Sequence, residues 1–273
     1  MDPALSWLRA RFRRLAWAFT VLALTGCGVL RRDTPVPIPT QAAPRSPAGR
    51  ADTLVVCLPG RGDRMAAFEN NGCATALREA GVRADLVAVD ANLGYYYNHT
   101  LFERLRADVL KPARQQGYRR IVVVGVSLGG LGALLSEHEQ PGLVDALVLL
   151  GPYLGEDTGL FDRMDAVGGP AAWAAGRDPS AGTVEEKLWT FLGTSSAKLP
   201  PTWLLCGRRD TYGRGQRLLA GLLPAARVVI IDGAHDWRAW RALWRDACLH
   251  SDLFQAERTG GSPPTPDPAA KHR

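Results

Sequence analysis

The sequence has 273 residues, of which 46% are hydrophobic and 22% are charged. This composition supplies enough apolar surface for one or two folded domains, and it excludes a chain that is disordered throughout, a collagen and a coiled coil. The 33 basic and 27 acidic residues give a formal net charge of +6. About half of that surplus lies in the first 26 residues, so the remainder is too small to predict a nucleic-acid-binding surface.

The N-terminus has the pattern of an export signal. Residues 1–14 are rich in arginine, and the apolar run 15–26 has twelve residues, whereas a transmembrane helix needs roughly 20. The run ends in Leu24-Thr25-Gly26-Cys27, which resembles the lipobox of bacterial lipoproteins, where the cysteine is lipidated and becomes the N-terminus. We therefore predict a signal peptide over residues 1–26 and a lipid anchor on Cys27. A cleaved signal followed by an unmodified cysteine is the alternative.

Proline-rich segments flank the candidate domain. Residues 27–50 contain prolines at positions 35, 37, 39, 44 and 47 and show no apolar periodicity, which predicts a semi-extended spacer after the lipidated cysteine. Residues 254–273 are also rich in proline and glycine and are predicted to form a disordered tail. The remaining residues, 51–253, are predicted to form one folded domain.

Within this domain, short apolar runs alternate with longer amphipathic segments. The short runs predict strands at 54–58, 84–89, 121–126, 145–150, 203–206 and 227–231, and the longer segments predict helices at 64–80, 99–116, 129–139, 214–222 and 235–250. Continuously apolar strands separated by helices are typical of a mostly parallel sheet that is covered on both faces. Because loops at the carboxyl ends of such strands build the functional site, the residues that follow each strand are the candidates.

The third predicted strand is followed by Gly125-Val126-Ser127-Leu128-Gly129, a G-x-S-x-G motif between a strand and a helix. This is the context of a nucleophile elbow, a sharp turn that projects a serine hydroxyl and is relieved by flanking glycines. A glycine-rich turn after a strand can instead bind a dinucleotide phosphate, but that motif requires glycine where Ser127 stands. Ser127 is therefore the candidate nucleophile.

A serine nucleophile needs a base and a group that orients the base, and two later loops offer both. Asp210 follows the fifth predicted strand and His235 follows the sixth. Each residue alone is compatible with a turn, a helix cap or a structural role. The order Ser127, Asp210, His235, with the patterns LLxGxxD and GxHDW at the strand ends, resembles the α/β-hydrolase family.

Other acids compete for the orienting role. Asp232 and Asp236 adjoin His235 on its own loop, from which useful geometry to its ring is hard to reach. In some members of the family the acid follows the preceding strand, where this chain has Asp157. Asp210 is therefore the first candidate and Asp157 the second.

The resemblance implies an α/β-hydrolase fold with helices on both faces of the sheet and a cap or lid insertion at 155–199. The family's usual first two strands have no counterpart here, so the expected sheet is mostly parallel and six-stranded. Two backbone amides stabilise the oxyanion in this family, and they correspond to the amides of Leu128 and Arg61, although this chain has Pro59-Gly60 where the family often has His-Gly. The Arg61 side chain would meet an anionic substrate group or pair with Asp63.

Several aromatic residues line the cleft or pack the cap onto the body, and both interpretations stay open. They are Tyr95, Tyr96 and Tyr97 after the second strand and Phe161, Trp173, Trp189 and Phe191 in the insertion. Trp237, Trp240 and Trp244 have the helical spacing of core residues.

Four cysteines follow Cys27, and export to an oxidising compartment would permit disulfides. The family's arrangement places the first and last helices on one face of the sheet, which implies a disulfide between Cys73 and Cys248. Cys57 and Cys206 lie in separate strands and are expected to stay buried thiols. No cysteine spacing matches a zinc site, so we expect no metal and no cofactor.

Together these features predict a serine hydrolase of the carboxylesterase or lipase type, tethered to the bacterial cell envelope and acting on a small-molecule acyl ester. An acyltransferase or a thioesterase would use the same triad. A different class of function is a non-catalytic envelope lipoprotein that binds a ligand or partner on this scaffold, but a complete triad argues against it. Gly28 in place of Asp after Cys27 favours the outer membrane.

Overall fold

The computed structural model describes residues 33–44, 49–156 and 159–258. The predicted signal peptide, Cys27, Asp157 and most of the predicted tail therefore lie outside the described residues. Within them, no helix is both long enough and apolar enough to cross a bilayer.

A seven-stranded sheet lies at the centre of the domain. Its strands are β1 Thr40–Ala42, β2 Thr53–Leu58, β3 Ala84–Val89, β4 Arg120–Val126, β5 Ala146–Leu150, β6 Thr202–Gly207 and β7 Val228–Ile231, in the order β1-β3-β2-β4-β5-β6-β7. Strands β2 to β7 are parallel to their neighbours, and β1 alone is antiparallel. All six predicted strands are confirmed, and the sheet has one strand more than expected.

The additional strand comes from the segment that the sequence assigned to the spacer. Thr40 pairs with Val89 across the β1–β3 ladder. Ile38 is 3% exposed, and its amide donates to the Asp108 carboxylate at 2.8 Å. Residues 33–44 therefore belong to the folded domain. The sequence does not reveal this strand, because the segment is rich in proline, the strand has only three residues and only one strongly apolar residue is buried.

The domain also extends beyond residue 253. Phe254 is fully buried, and the Arg83 amide donates to the Glu257 carbonyl at 2.9 Å. The carboxylate of Glu257 accepts a hydrogen bond from the Thr53 hydroxyl at 3.0 Å. Residues 254–258 are therefore part of the fold and not of a disordered tail.

Helices cover both faces of the sheet. They are α1 Ala66–Asn70, α2 Cys73–Glu79, α3 Leu93–Tyr97, α4 Leu101–Arg104, α5 Lys111–Gln115, α6 Leu128–Glu139, α7 Leu160–Ala166, α8 Pro170–Ala174, α9 Val184–Ser195, α10 Gly213–Ala220 and α11 Trp237–His250. A π-helical stretch, Leu105–Leu110, joins α4 to α5, and single 3₁₀ turns occur at Ser196–Lys198, Ala225–Arg227 and Asp252–Phe254. The predicted helix 64–80 is divided in two at Gly72, whose φ is 70°.

Successive residues of β2 alternate between two cores. Val56 and Leu58 pack on one face with side chains from α4, α6 and α9. Val55 and Cys57 pack on the other face with α1, α2 and α11. All four side chains are at most 1% exposed. Burial on both faces explains why this strand is continuously apolar in sequence instead of alternating.

The insertion 155–199 forms helices α7, α8 and α9, which pack against the body. Phe161, Trp173 and Trp189 are 2%, 5% and 0% exposed. The Trp189 indole N–H donates to the Leu154 carbonyl at 2.8 Å, and Arg214 of α10 forms ion pairs with two acids of α7. These aromatic residues therefore attach the cap to the body.

The predicted disulfide is not formed in the structure, because Cys73 and Cys248 are both free thiols. Helices α2 and α11 do lie side by side, since the Trp244 indole N–H donates to the Cys73 carbonyl at 3.0 Å. Burial raises the pKa of the Cys73 thiol to about 12 and that of Cys206 to about 12. It also raises the pKa values of Cys57 and Cys248.

Thiol titration tests this finding. The folded chain with Cys27 replaced by serine is expected to show no thiol that reacts with a disulfide reagent at pH 8, because the thiolate is the reactive form and burial suppresses it. Unfolding the chain in denaturant without reductant is expected to expose all four remaining thiols. Two reactive thiols instead of four would show that two of the four cysteines form a disulfide, as predicted for Cys73 and Cys248.

Candidate active site

Ser127 occupies a sharp turn between β4 and α6. Its φ is 50° and its ψ is −113°, a conformation that L-residues with a Cβ rarely adopt. Its amide donates to the Leu150 carbonyl at 3.0 Å, and its carbonyl accepts from the Tyr153 amide at 2.9 Å. A Cβ on Gly125 would lie 2.4 Å from the Gly129 carbonyl oxygen, so the motif's glycines allow β4 and α6 to approach this closely.

Two substitutions that both remove the hydroxyl measure the strain in this turn. Ser127→Gly is expected to be about 1 kcal/mol more stable than Ser127→Ala, because glycine relieves a backbone cost of about 1–3 kcal/mol and loses part of the gain to unfolded-state entropy. Urea unfolding of the two variants gives the difference. A glycine variant less stable than the alanine variant would show that the turn is not strained.

The structure brings the three predicted residues together in a hydrogen-bonded line. Ser127 Oγ lies 2.9 Å from His235 Nε2. His235 Nδ1 lies 2.9 Å from both carboxylate oxygens of Asp210. The Asp210 side chain is fully buried, whereas the His235 side chain is 17% exposed. The three residues come from the carboxyl ends of β4, β6 and β7, as the chain order predicted.

The competing acids near His235 have other partners. Asp232 forms an exposed ion pair with Arg209. Asp236 caps helix α11, and its carboxylate accepts from the Ala239 amide at 2.9 Å. Asp157, the second candidate, lies outside the described residues. Among the described acids, Asp210 is therefore the one that contacts the His235 ring.

The Asp210 carboxylate has a further donor in its own loop. The Tyr212 amide donates to Asp210 Oδ1 at 2.8 Å, and the Gly213 amide donates to the Asp210 carbonyl at 3.0 Å. A buried carboxylate needs such donors to compensate for the water it has lost. The backbone amides of this loop thus hold Asp210 in place independently of its contact with His235.

Two aromatic rings flank the His235 imidazole. Tyr212 and Trp240 each make an edge contact with it, both with ring centroids 4.9 Å apart. Sequence reasoning assigned Trp240 to core packing and did not single out Tyr212. Trp240 is indeed buried, but it also contacts the His235 ring. The spacing of Tyr212 two residues after Asp210 was the available signal.

The loop after β2 lies directly beside Ser127. A Cβ on Gly60 would lie 3.4 Å from Ser127 Cβ, and the Asp63 amide donates to the Gly60 carbonyl at 3.1 Å to close a turn. Arg61, the predicted source of one oxyanion amide, follows Gly60 in this turn. Leu128, the source of the other, is the first residue of α6.

The turn over residues 60–63 is tied to helix α11. The Trp237 indole N–H donates to Asp63 Oδ2 at 2.9 Å, so the Asp63 carboxylate has a partner other than Arg61. Trp237 also makes edge contacts with the rings of Phe68 and Trp240. Helix α11 therefore connects the loop that carries His235 with the turn that carries Arg61.

Removing this connection is expected to impair the site. Trp237→Phe keeps a ring but removes the N–H, and we expect an approximately tenfold lower kcat for ester hydrolysis with little change in KM, because small displacements of oxyanion donors are costly. Asp63→Asn retains an acceptor oxygen and serves as the matched control, with kcat close to the parent value. An unchanged kcat for Trp237→Phe would contradict the positioning role.

The three consecutive tyrosines after β3 have different surroundings. Tyr95 is buried, and its hydroxyl donates to the Pro35 carbonyl at 2.6 Å. The Tyr96 hydroxyl donates to the Leu128 carbonyl at 3.0 Å, and burial raises the pKa of Tyr96 above its usual value. Tyr97 is 61% exposed. Tyr95 packs inside the domain, and Tyr96 contacts the first residue of the helix that follows Ser127.

A cavity of about 190 Å³ lies in the cap, lined by Tyr153, Glu156, Leu160, Arg163, Thr183, Glu185 and Glu186. The Tyr153 ring contacts the Tyr212 ring with centroids 5.0 Å apart. Burial and the nearby Glu185 and Glu156 carboxylates raise the pKa of Tyr153 to about 12. In the described ranges, no cluster of His, Cys, Asp and Glu has the arrangement of a metal site.

Solved structures resemble the chain, although no family model and no curated protein matches its sequence. The S-formylglutathione hydrolase of Staphylococcus aureus superposes with a TM-score of 0.58 at 15% identity, over 79% of this chain and 94% of that chain. For a fluorophosphonate-binding serine hydrolase of the same organism, the TM-score is 0.51 at 14% identity, with 79% and 94% covered. For a bromoperoxidase from Bacillus anthracis, the TM-score is 0.50 at 18% identity, with 80% and 94% covered.

These likenesses agree with the architecture described above. The sheet is mostly parallel, helices cover both faces, and a serine lies on the turn between the central strand β4 and helix α6. The acid and the histidine follow later strands in the expected order. The chain has the α/β-hydrolase fold.

Proposed function

We propose that this protein is a serine hydrolase that cleaves carboxylic esters through an acyl-enzyme. The observation that carries the proposal is the hydrogen-bonded line from Ser127 Oγ through His235 to the buried Asp210 carboxylate. A serine hydroxyl is a poor nucleophile near neutral pH, and this arrangement supplies the base and the orienting acid that it needs.

In the acylation step, Ser127 Oγ attacks the ester carbonyl carbon while His235 Nε2 takes the hydroxyl proton. Asp210 holds the Nδ1–H tautomer of the ring and stabilises the imidazolium. The amides of Leu128 and Arg61 donate to the developing oxyanion, a contribution of about 10² to 10³ in rate for each donor. The carbon–alkoxide bond then breaks, and His235 returns the proton to the leaving alcohol.

In the deacylation step, water repeats the sequence on the acyl-enzyme. His235 takes a proton from the attacking water, the tetrahedral intermediate collapses, and the proton returns to Ser127 Oγ as the carboxylic acid leaves. The site therefore ends in its starting protonation state. The names of the similar structures, a hydrolase and a fluorophosphonate-binding serine hydrolase, support the same chemistry.

The test is a stopped-flow experiment with a nitrophenyl ester of a short acid. An acyl-enzyme route predicts a burst of nitrophenol close to one equivalent per active site whenever deacylation is the slower step. Mass spectrometry of the quenched enzyme is expected to find one acyl group on Ser127. Turnover with neither burst nor acyl adduct, under several acyl lengths, would argue against covalent catalysis by Ser127.

We further propose that the hydrolase is exported and held at the bacterial cell envelope by a lipid on Cys27. The short apolar run followed by Leu24-Thr25-Gly26-Cys27 supports this proposal. Two or more acyl chains give stable anchoring, whereas one chain is marginal. The test compares the parent with Cys27→Ser: the parent is expected in the membrane fraction with the added mass of a lipid. The anchor would be refuted if the two proteins distributed equally between the fractions and their processed forms differed in mass only by the substitution.

A further inference from the structure

The first described residues enter the domain along helix α3. The Asn92 side-chain amide donates to the Asp33 carbonyl at 3.2 Å, and the Tyr95 hydroxyl donates to the Pro35 carbonyl at 2.6 Å. The Asn98 side-chain amide donates to the Thr34 hydroxyl at 3.2 Å. Three side chains of α3 and its flanks thus bind the incoming chain, and its entry point is fixed on the folded body.

Helix α3 also contacts the candidate active site. It begins four residues after the carboxyl end of β3, and the Tyr96 hydroxyl donates to the carbonyl of Leu128 at 3.0 Å. Between Asn92 and Tyr96 the helix rises only about 6 Å. The chain therefore enters at the side of the sheet where the parallel strands have their carboxyl ends, which we call the carboxyl edge. Ser127 projects from the same side, and the opposite side is the amino edge.

The distance from Cys27 to this entry point is short. Six residue steps separate Cys27 from Asp33, and an extended chain spans at most about 22 Å over that length. The roughly 220 described residues correspond to a globule about 45 Å across. If the amino edge of the sheet faced the membrane, the entry point would lie further from the lipid surface than the segment between Cys27 and Asp33 can reach. A lipid on Cys27 therefore excludes that orientation.

We propose that the carboxyl edge of the sheet, with the Ser127 site, faces the lipid surface, and that the enzyme takes amphiphilic esters from that surface. This inference rests on the proposed hydrolase activity and on the proposed anchor at Cys27. It adds a fixed orientation and a class of substrate, neither of which follows from the triad alone.

The surface at this edge suits a lipid headgroup region. Val36 and Tyr97 are 68% and 61% exposed, the highest values among the exposed large hydrophobic side chains of the described ranges. Both lie where the entering chain meets α3. Arg61 and Arg208, in the loops after β2 and β6, are exposed as well. Exposed tyrosine and arginine side chains are favourable at an anionic lipid interface.

The orientation is tested on the full lipidated chain reconstituted in vesicles that carry a quencher-labelled lipid. An environment-sensitive thiol probe is placed at Tyr97→Cys or, as the matched control, at Asp52→Cys. Asp52 is exposed and precedes β2 at the opposite edge. The four other described cysteines are buried free thiols and stay unlabelled in the folded chain. We expect strong quenching at position 97 and little at position 52.

A longer tether provides the second arm. Inserting 20 glycine and serine residues after Arg32 raises the maximal reach by about 70 Å, so that it exceeds the domain diameter. The difference between the two probes is then expected to shrink. Equal quenching at both positions in the parent, or stronger quenching at position 52, would overturn the orientation. The orientation would also be overturned if the parent protein were found in the membrane fraction with no lipid on Cys27.

The substrate class is tested by kinetics on the parent and Cys27→Ser at equal concentration. The anchored parent is expected to hydrolyse a long-chain ester dissolved in vesicles at least about tenfold faster, because both partners share one surface. The two proteins are expected to hydrolyse a short soluble ester equally. Equal rates of the parent and Cys27→Ser on the vesicle ester would refute the amphiphilic-ester proposal. A parent that does not hydrolyse the soluble ester would instead refute the hydrolase activity itself.

Discussion

Replacing Ser127 with alanine is expected to lower kcat/KM for ester hydrolysis by about 10⁵-fold or more, because the nucleophile and its base act as one unit. Ser127 Oγ is the atom that His235 Nε2 contacts at 2.9 Å, and within the described residues no other hydroxyl is hydrogen-bonded to His235. The measurement is steady-state hydrolysis of a nitrophenyl ester, with the background rate without enzyme subtracted.

The alanine variant must be folded for this result to count. Alanine carries a Cβ as serine does, so the backbone turn is expected to stay the same. The circular dichroism spectrum and the unfolding midpoint are therefore expected to stay close to those of the parent. His235→Ala is a second test, and combining it with Ser127→Ala is expected to add little further loss. A folded Ser127→Ala variant with more than a tenth of the parent activity would place the nucleophile elsewhere.

Replacing Asp210 with asparagine is expected to lower kcat by about 10³ to 10⁴-fold while the fold is retained. Asparagine has nearly the same shape, but its amide can hold the His235 ring in the tautomer that cannot accept the Ser127 proton. The Tyr212 amide would still find an acceptor oxygen, as it does in the parent at 2.8 Å. The measurement is kcat on the same ester across a range of pH.

The competing acids supply the controls for this prediction. Asp232→Asn removes an exposed ion pair with Arg209, and its kcat is expected to stay within a few-fold of the parent. Asp157→Asn tests the second candidate in the same way. A large loss for Asp157→Asn together with near-parent activity for Asp210→Asn would transfer the orienting role to Asp157.

The strands and the meeting of Ser127, Asp210 and His235 could be predicted from sequence because each leaves a local signal. Strands such as β4 and β5 are buried on both faces, so they are continuously apolar. Ser127 lies in a motif whose glycines are required by the close approach of Gly125 and Gly129. Asp210 and His235 each follow an apolar strand, and the order of the three matched a known family.

Features that depend on distant contacts could not be predicted in this way. Strand β1 has three residues, and its partner β3 lies more than 40 positions further along the chain. The hydrogen bond between Trp237 and Asp63 joins residues 174 positions apart. Neither segment differs from a loop or a core helix in its own composition. The role of Trp240 beside His235 likewise depends on ring packing that spacing does not encode.

The inference that Cys73 and Cys248 form a disulfide failed for a related reason. Helical proximity was inferred correctly, since the Trp244 indole binds the Cys73 carbonyl at 3.0 Å. A disulfide also requires that the two Cβ atoms face one another at a distance of about 3.5–4.5 Å. A family-level arrangement of helices does not determine that geometry, and the structure has both as free thiols.

The most direct test of an activated serine is labelling with a fluorophosphonate, followed by intact-mass measurement of the parent and of Ser127→Ala. The phosphonate reacts with a hydroxyl only when a base and an oxyanion site activate it, so it reports the whole arrangement in one step. We expect one adduct per chain on the parent, located on Ser127, and none on the variant. A folded parent that stays unlabelled at excess reagent, or an equal adduct on both proteins, would contradict the account.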